Sequence, residues 1–223
     1  MAKCLREGCG STVLYQGAEY CSPKCYGIAY SQRRCVLCGE GIDLVQEKQV
    51  CAKCVVGTAE QQDATFSECG RFRYLLSRIW GPPPWALFIG LNPSKADGKR
   101  DDPTTNRWRD FCKGWGFGGY VAGNLSAYRA TAPKDLAAAG YLVGEENDRC
   151  LQEAAELTDR IVVCWGSSGG EWATQRGREV NYLFPTLELW CWGLNADGNP
   201  RHPIARGKNR LSDDAPLMLW VPT

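Results

Sequence analysis

The chain has 223 residues, enough for one full core domain and a small appendage. Charged residues make up 23% and the net charge is +1, so there is no global basic signature for nucleic acid, and DNA contact would need a local basic face. No stretch is long and apolar enough to span a membrane, and Met1-Ala2-Lys3-Cys4 does not begin a secretory signal, so a cytoplasmic monomer without a membrane partner is expected.

Eight of the 13 cysteines fall within the first 54 residues, in two quartets. Cys35, Cys38, Cys51 and Cys54 form paired CxxC knuckles, a spacing that lets thiolates converge on one tetrahedral ion. Cys4, Cys9, Cys21 and Cys25 are spaced less regularly. The only histidine, His202, is far along the chain, so both sites would be all-cysteine. Two structural Zn2+ ions are expected, with no cofactor for catalysis; a disulfide framework is the alternative. A module this short (residues 1–57) buries little apolar surface, so metal would supply its folding energy. Its Tyr20, Tyr26, Tyr30, Arg33 and Arg34 suit either a nucleic-acid clamp or the packing of a small domain.

Residues 58–70 read as a polar linker, and 71–223 as the main domain. Phe72, Leu75, Leu76 and Ile79 stand at helical spacing, with Trp80-Gly81-Pro82-Pro83-Pro84 as the stop. Ala86–Ile89 is a buried-strand run that breaks at Gly90-Leu91-Asn92-Pro93-Ser94. Polar groups follow: Lys95, Asp97, Lys99, Arg100, Asp101 and Asp102. Thr105–Gly114 suits a helix carrying Arg107, Trp108, Arg109 and Phe111, and 119–123 a second strand running out at Asn124. A helix over 145–159 leads to a strand at 161–165, then a helix over 172–182 and a strand over 187–192. His202 lies in a polar loop, followed by the basic stretch Arg206-Gly207-Lys208-Asn209-Arg210, and 217–221 closes the chain as a strand. The alternation predicts an α/β domain of three layers (α/β/α) around a mainly parallel sheet. Ligands of such sheets sit outside the carboxyl ends of strands, where Asn92, Asn124 and His202 all fall. Two amides and an imidazole there suit a heterocycle, since an amide reads a base edge with donor and acceptor together.

The segment Gly90-Leu91-Asn92-Pro93-Ser94 resembles the first motif of the uracil-DNA glycosylase superfamily, above all of its mismatch-specific and single-strand-selective branches. Asn124 resembles the base-reading asparagine of that family, and His202-Pro203 its late His-Pro motif, which precedes a loop that enters the duplex. The wording from Arg73-Tyr74-Leu75 to Arg201-His202-Pro203 is also similar to a divergent family long labelled as a domain of unknown function, whose relatives include Brig-type antiphage glycosylases. The resemblance implies hydrolysis of an N-glycosidic bond, with Asn92, His202 and Asp97 catalytic. Ser94, Asp101, Asp102, Trp108, Asn124 and Arg201 would contact the base or its substituent. Arg206, Lys208 and Arg210 would meet DNA phosphates, with Leu211 as the wedge. The implied substrate is glucosylated hydroxymethylcytosine in phage DNA, flipped from the stack and removed to leave an abasic site. Nine tryptophans, with Trp108, Trp115, Trp165 and Trp172 in segments near Asn92, suit a glycosylated base. Two departures matter: no aspartate stands at the Asn92 position, and Ile204 replaces the serine after His-Pro, so Asp97, Asp101 or Asp102 would supply the charge. A non-catalytic modified-DNA reader and a nucleoside or nucleotide N-glycosidase are the alternatives.

Overall fold

A computed structural model of the chain describes residues 61–93, 101–130 and 132–222, which belong to one compact unit. Both cysteine quartets, Ser94 and Asp97 lie outside the described residues.

The first two elements correct the sequence reading. Gln61–Phe66, expected within the linker, is strand β1, and Arg73–Ile79, expected as a helix, is strand β2. The two pair antiparallel through a short turn. Strand β2 is misread because both its faces are buried. Leu76 joins the aromatic core on one side, while Leu75 faces Gly123 on the other, so its apolar residues lose the alternation of a half-exposed strand.

The remaining strands are β3 (Trp85–Gly90), β4 (Gly119–Asn124), β5 (Arg160–Val163), β6 (Leu189–Cys191) and β7 (Met218–Leu219). The sheet order is β1-β2-β4-β3-β5-β6-β7. Only the central strands β4, β3, β5 and β6 pair parallel; the β1–β2, β2–β4 and β6–β7 pairs are antiparallel. The sheet is therefore mixed rather than mainly parallel. An antiparallel neighbour needs only a short connection, and a polar turn of that kind is hard to tell from a linker.

Four α-helices are described: α1 (Pro103–Gly114), α2 (Pro133–Ala138), α3 (Asn147–Glu156) and α4 (Gly170–Tyr182). Helix α1 starts at Asp102, whose carboxylate accepts from the Thr104 and Thr105 N–H groups, with Pro103 as first helical residue. It ends before Gly116, whose φ of +73° suits a glycine after a helix end. Thr105, Trp108, Phe111 and Cys112 form its buried stripe. Phe88 stacks on Trp108 at 5.2 Å and lies 6.0 Å from Trp192, while Phe111 meets Trp192 at 4.4 Å. Helix α3 covers the opposite face, where Leu151 fills the space beside Gly123. Arg176 of α4 pairs with Asp148 of α3, which keeps those two helices on one side of the sheet. This gives the three layers. No helix among the described residues is long and apolar enough to cross a membrane.

Leu211 also belongs to this core. It is only 7% exposed and packs with Trp108, Phe111 and Trp192, so it is not free to act as a wedge. Arg107 holds it there by donating to the Leu211 and Ser212 carbonyls, at 3.0 and 2.9 Å, and by pairing with Asp213. The exposed apolar side chain of this loop is Ile204, at 40%. Leu211→Ala is expected to cost about 2–5 kcal/mol, whereas Ile204→Ala should stay within about 0.5 kcal/mol. Denaturant melts of the two variants check this; equal stabilities would contradict the packing described.

Candidate active site

Strand β3 is where the chain reverses direction across the sheet. The crossover through α1 places β4 on one side of it, and the next places β5 on the other. A crevice outside the carboxyl ends of the strands at such a reversal is the expected ligand site of an open α/β sheet. A cavity of about 170 Å³ lies there, lined by Gly90, Leu91 and Asn92 after β3, Asn124 after β4, and Trp165 and Ser168 after β5. Arg73, Asp102, Thr104, Thr105, Trp108, Ala130 and His202 complete the lining. Pockets for drug-sized ligands run to about 300–1,000 Å³, so this one suits a single planar ring.

The two asparagines stay side by side because the β3–β4 pairing continues past the strands. Leu125 N–H donates to Gly90 O at 2.9 Å, and Ser126 N–H to Leu91 O at 3.0 Å. The Asn92 side-chain NH2 donates to Pro93 O at 3.0 Å and Ala130 O at 2.8 Å. Both of its donors are thereby used, which fixes the amide orientation and leaves Oδ1 as the acceptor available to the cavity. Asn124 is 3% exposed, and its carboxamide makes no hydrogen bond among the described residues. Its backbone carbonyl is held instead, accepting from the fully buried Asn147 Nδ2 at 3.0 Å. The amide lines the cavity, where a ligand would complete its hydrogen bonds.

Gly90 makes room for this amide. A Cβ built there would lie 2.8 Å from Asn124 Oδ1. His202 arrives by a second close approach. Gly166, at φ +72°, donates its N–H to Pro200 O at 2.9 Å, and a Cβ there would stand 3.1 Å from His202 Cβ. Trp165 secures the same loop by donating from Nε1 to Asn199 Oδ1 at 2.9 Å.

His202 Nδ1 accepts from the Ile204 N–H at 3.3 Å, so in the neutral ring the proton sits on Nε2. Burial lowers the His202 pKa, and the Asp102 charge offsets this only in part. The unfolded chain therefore binds the proton more readily than the folded one. Stability tied to this group is complete above about pH 6.5 and is lost as pH falls through the lower folded value. His202→Gln should flatten the fall in Tm between pH 7 and pH 5; identical pH profiles for variant and wild type would refute the assignment.

The expected site residues divide into two groups. Asn92, Asn124, His202, Asp102 and Trp108 meet at the cavity. Asp101 and Arg201 are not part of its lining. Asp101 pairs with the fully buried Arg78 at 2.8 Å and with Arg109 at 2.7 Å, an ion triad that pins the start of α1. Arg201 lies against the β6 exit, its Nε donating to Leu194 O at 3.4 Å. Of the four tryptophans singled out, Trp165 and Trp108 line the cavity, Trp115 packs in the aromatic core, and Trp172 stacks on Tyr141. Arg206, Lys208 and Arg210 are exposed on and beside the 3-10 turn Gly207–Asn209.

Arg73, Thr104, Thr105 and Ser168 are lining residues that sequence reasoning did not assign. Ser168 follows strand β5, so the rule that singled out Asn92 and Asn124 could have found it. Arg73 carried no such signal. It opens a strand antiparallel to β4, so its amino-terminal end reaches the cavity side of the sheet. Burial pulls its guanidinium down to about 10, partly opposed by Asp102, which still leaves it charged at neutral pH. Among the described residues no group of three or more His, Cys, Asp or Glu side chains could hold a metal ion. Cys112, Cys150, Cys164 and Cys191 are dispersed and buried, and burial is the main cause raising each of their pKa values, as expected of inert core thiols.

No curated protein and no solved structure matches this chain. A family described as proteins of unknown function, DUF1643, matches residues 73–204, a span that runs from the buried arginine of the cavity to just past its histidine. That span covers more than half of the sequence, and the chain belongs to the DUF1643 family.

Proposed function

We propose that this protein is a DNA glycosylase that hydrolyses the N-glycosidic bond of a base flipped out of the stack. The observation that carries the reading is the convergence of Asn92 Oδ1, the unpartnered Asn124 amide and His202 on one base-sized cavity. The bond from the sugar carbon to the ring nitrogen breaks, and its electron pair leaves on the ring. A water oxygen bonds to the sugar carbon and gives up a proton. Asn92 Oδ1 orients that water but, as an amide, deprotonates it poorly. Asp102 is the carboxylate among the described lining residues, so it is assigned the proton and the charge facing the oxocarbenium-like sugar. Asp101 is committed to its ion triad, and Asp97 stays a proposal on its residue type alone. The Nε2–H of neutral His202 donates to the departing base, and Asn124 holds the base edge.

The preferred base is proposed to be glucosylated hydroxymethylcytosine in phage DNA, a reading that rests on the resemblance to Brig-type enzymes. The glucosyl group would extend beyond a cavity of this size. Exposed Ile204 takes over the wedge role from Leu211, and Arg206, Lys208 and Arg210 supply the phosphate contacts. Two zinc ions on the cysteine quartets are part of the same proposal, with elemental analysis expected to give two per chain.

The test is incubation with matched DNAs containing uracil, hydroxymethylcytosine or glucosyl-hydroxymethylcytosine, followed by counting abasic sites. Abasic sites in the glucosylated DNA are expected. Cutting of uracil DNA alone would overturn the substrate, and binding without any abasic site would make the protein a reader.

A further inference from the structure

The proposed phosphate contacts Arg206, Lys208 and Arg210 lie to one side of the cavity. Asn209 donates to Asn195 Oδ1 at 2.9 Å, which ties their turn to the loop leaving β6. A strand that sends one base into the cavity passes it on both sides. On the other side, toward β2, the chain interleaves rings with cations. After β4 it runs antiparallel to the start of β2: Phe72 and Tyr128 form a bridge, with their rings edge to face at 5.8 Å. The Arg129 N–H donates to Arg71 O at 3.0 Å. The Arg129 side chain donates from Nη1 to Gly70 O at 3.1 Å and holds its guanidinium 5.1 Å from the ring centroid of Phe66, the last residue of β1. Phe66 is 39% exposed, Arg71 and Arg129 are exposed, and Phe72 and Tyr128 are half-buried. Glu68 is the carboxylate of the hairpin turn, set against these two arginines.

This surface is continuous with the cavity wall. Ala130, the residue after Arg129, lines the cavity; its N–H donates to Pro93 O at 3.2 Å and its carbonyl accepts from Asn92. Strand β2 lies two strands from β3, about 10 Å at the usual strand spacing of about 4.8 Å. That span equals about three nucleotides at a stacked spacing of about 3.4 Å, and fewer in an extended strand. A duplex presents phosphates and keeps its base faces covered, so it would use the arginines but not the rings. Exposed rings among cations match a strand whose bases are unstacked. We propose that the β1–β2 hairpin and the loop after β4 form a single-strand subsite for DNA: Phe66 stacks an unpaired base near the extruded one, and Arg71 and Arg129 take the phosphates. The subsite rests on the glycosylase reading for the extruded base, but its preference for an unpaired strand is a property of the surface itself.

The test is fluorescence anisotropy with a labelled single-stranded DNA of about 16 nucleotides, the upper end of site sizes for one single-strand-binding module. The same strand annealed to its complement, and an RNA of the same sequence, are titrated beside it. The wild type should bind the single-stranded DNA tightest. Phe66→Leu keeps apolar bulk at the sheet edge but removes the ring. It should weaken single-strand binding about fivefold or more and change duplex binding little. Arg129→Gln keeps a donor for Gly70 O but removes the charge. It should lower the slope of log affinity against log salt by about 0.7, the share of one phosphate on a single strand. Duplex or RNA bound as tightly as the single-stranded DNA, no binding of any nucleic acid, or wild-type single-strand binding in either variant would overturn the proposal. Counting abasic sites in the same proteins separates the two readings. If the wild type prefers single strands through Phe66 and Arg129 yet releases no base from any DNA, the glycosylase reading fails while the subsite stands. If it releases a base and either variant binds as it does, the subsite fails and the glycosylase reading stands.

Discussion

Asp102→Asn is expected to lower base release by about 10²-fold or more with helix α1 still capped, because general-base assistance is worth about 10²–10⁴-fold. The two effects separate because Asp102 does two jobs. Its Oδ1 accepts from the Thr104 and Thr105 N–H groups at 2.9 Å each, which starts α1. Asparagine caps a helix about as well as aspartate, so that role survives the substitution. The negative charge does not survive, and with it go the proton acceptor for the water and the counter-charge to the sugar cation. Asp102→Ala should lose both, adding a stability loss of about 1 kcal/mol beyond that of the Asn variant to the same loss of rate. Calorimetric melts alongside single-turnover base release distinguish the roles. Full activity in the Asn variant would remove Asp102 from the chemistry and turn attention to Asp97.

Gly90→Ala should be nearly as damaging to function, by about 10²-fold, since an ångström-scale misplacement at a reacting centre costs that much. The added methyl would meet Asn124 Oδ1 at 2.8 Å, too close for a real contact, and would also lie 3.8 Å from Trp108. The amide must turn away, and the methyl takes part of a cavity of only about 170 Å³. Stability should change little. Gly90 is not among the glycines with positive φ, so alanine brings no backbone strain, and its lower unfolded-chain entropy offsets part of the crowding. The measurement is base release together with ring binding, with a melt to show the domain is intact. Unimpaired release would mean that Asn124 does not read the base.

Much of the site was legible in the residues themselves. Asn92 and Asn124 each follow an apolar run of strand length, and strand exits are where open α/β sheets hold ligands. His202 stood out as a sole histidine in a polar loop, while Asp102 was only one of three carboxylates, with Asp97 and Asp101, that could supply charge. Those inferences need only local rules about runs, turns and caps. The chain order of β3 to β6, with helices between them, was readable for the same reason.

Other features were decided only by tertiary contact. Leu211 looked free after a basic loop, yet Arg107, 104 residues earlier, holds its carbonyl while the side chain enters the aromatic core. Asp101 and Asp102 are neighbours of one chemical type. Arg78 and Arg109 claim the first, and the second lines the cavity. Arg73 was hidden because β2 is buried on both faces, so its residues at helical spacing imitate a helix. Only its antiparallel pairing with β4 brings the guanidinium to the carboxyl edge of the parallel strands. Periodicity reports which residues prefer to be buried, but not which partner buries them. Where the partner lies tens of residues away in sequence, the three-dimensional packing alone decides whether a charge becomes a brace or part of the site.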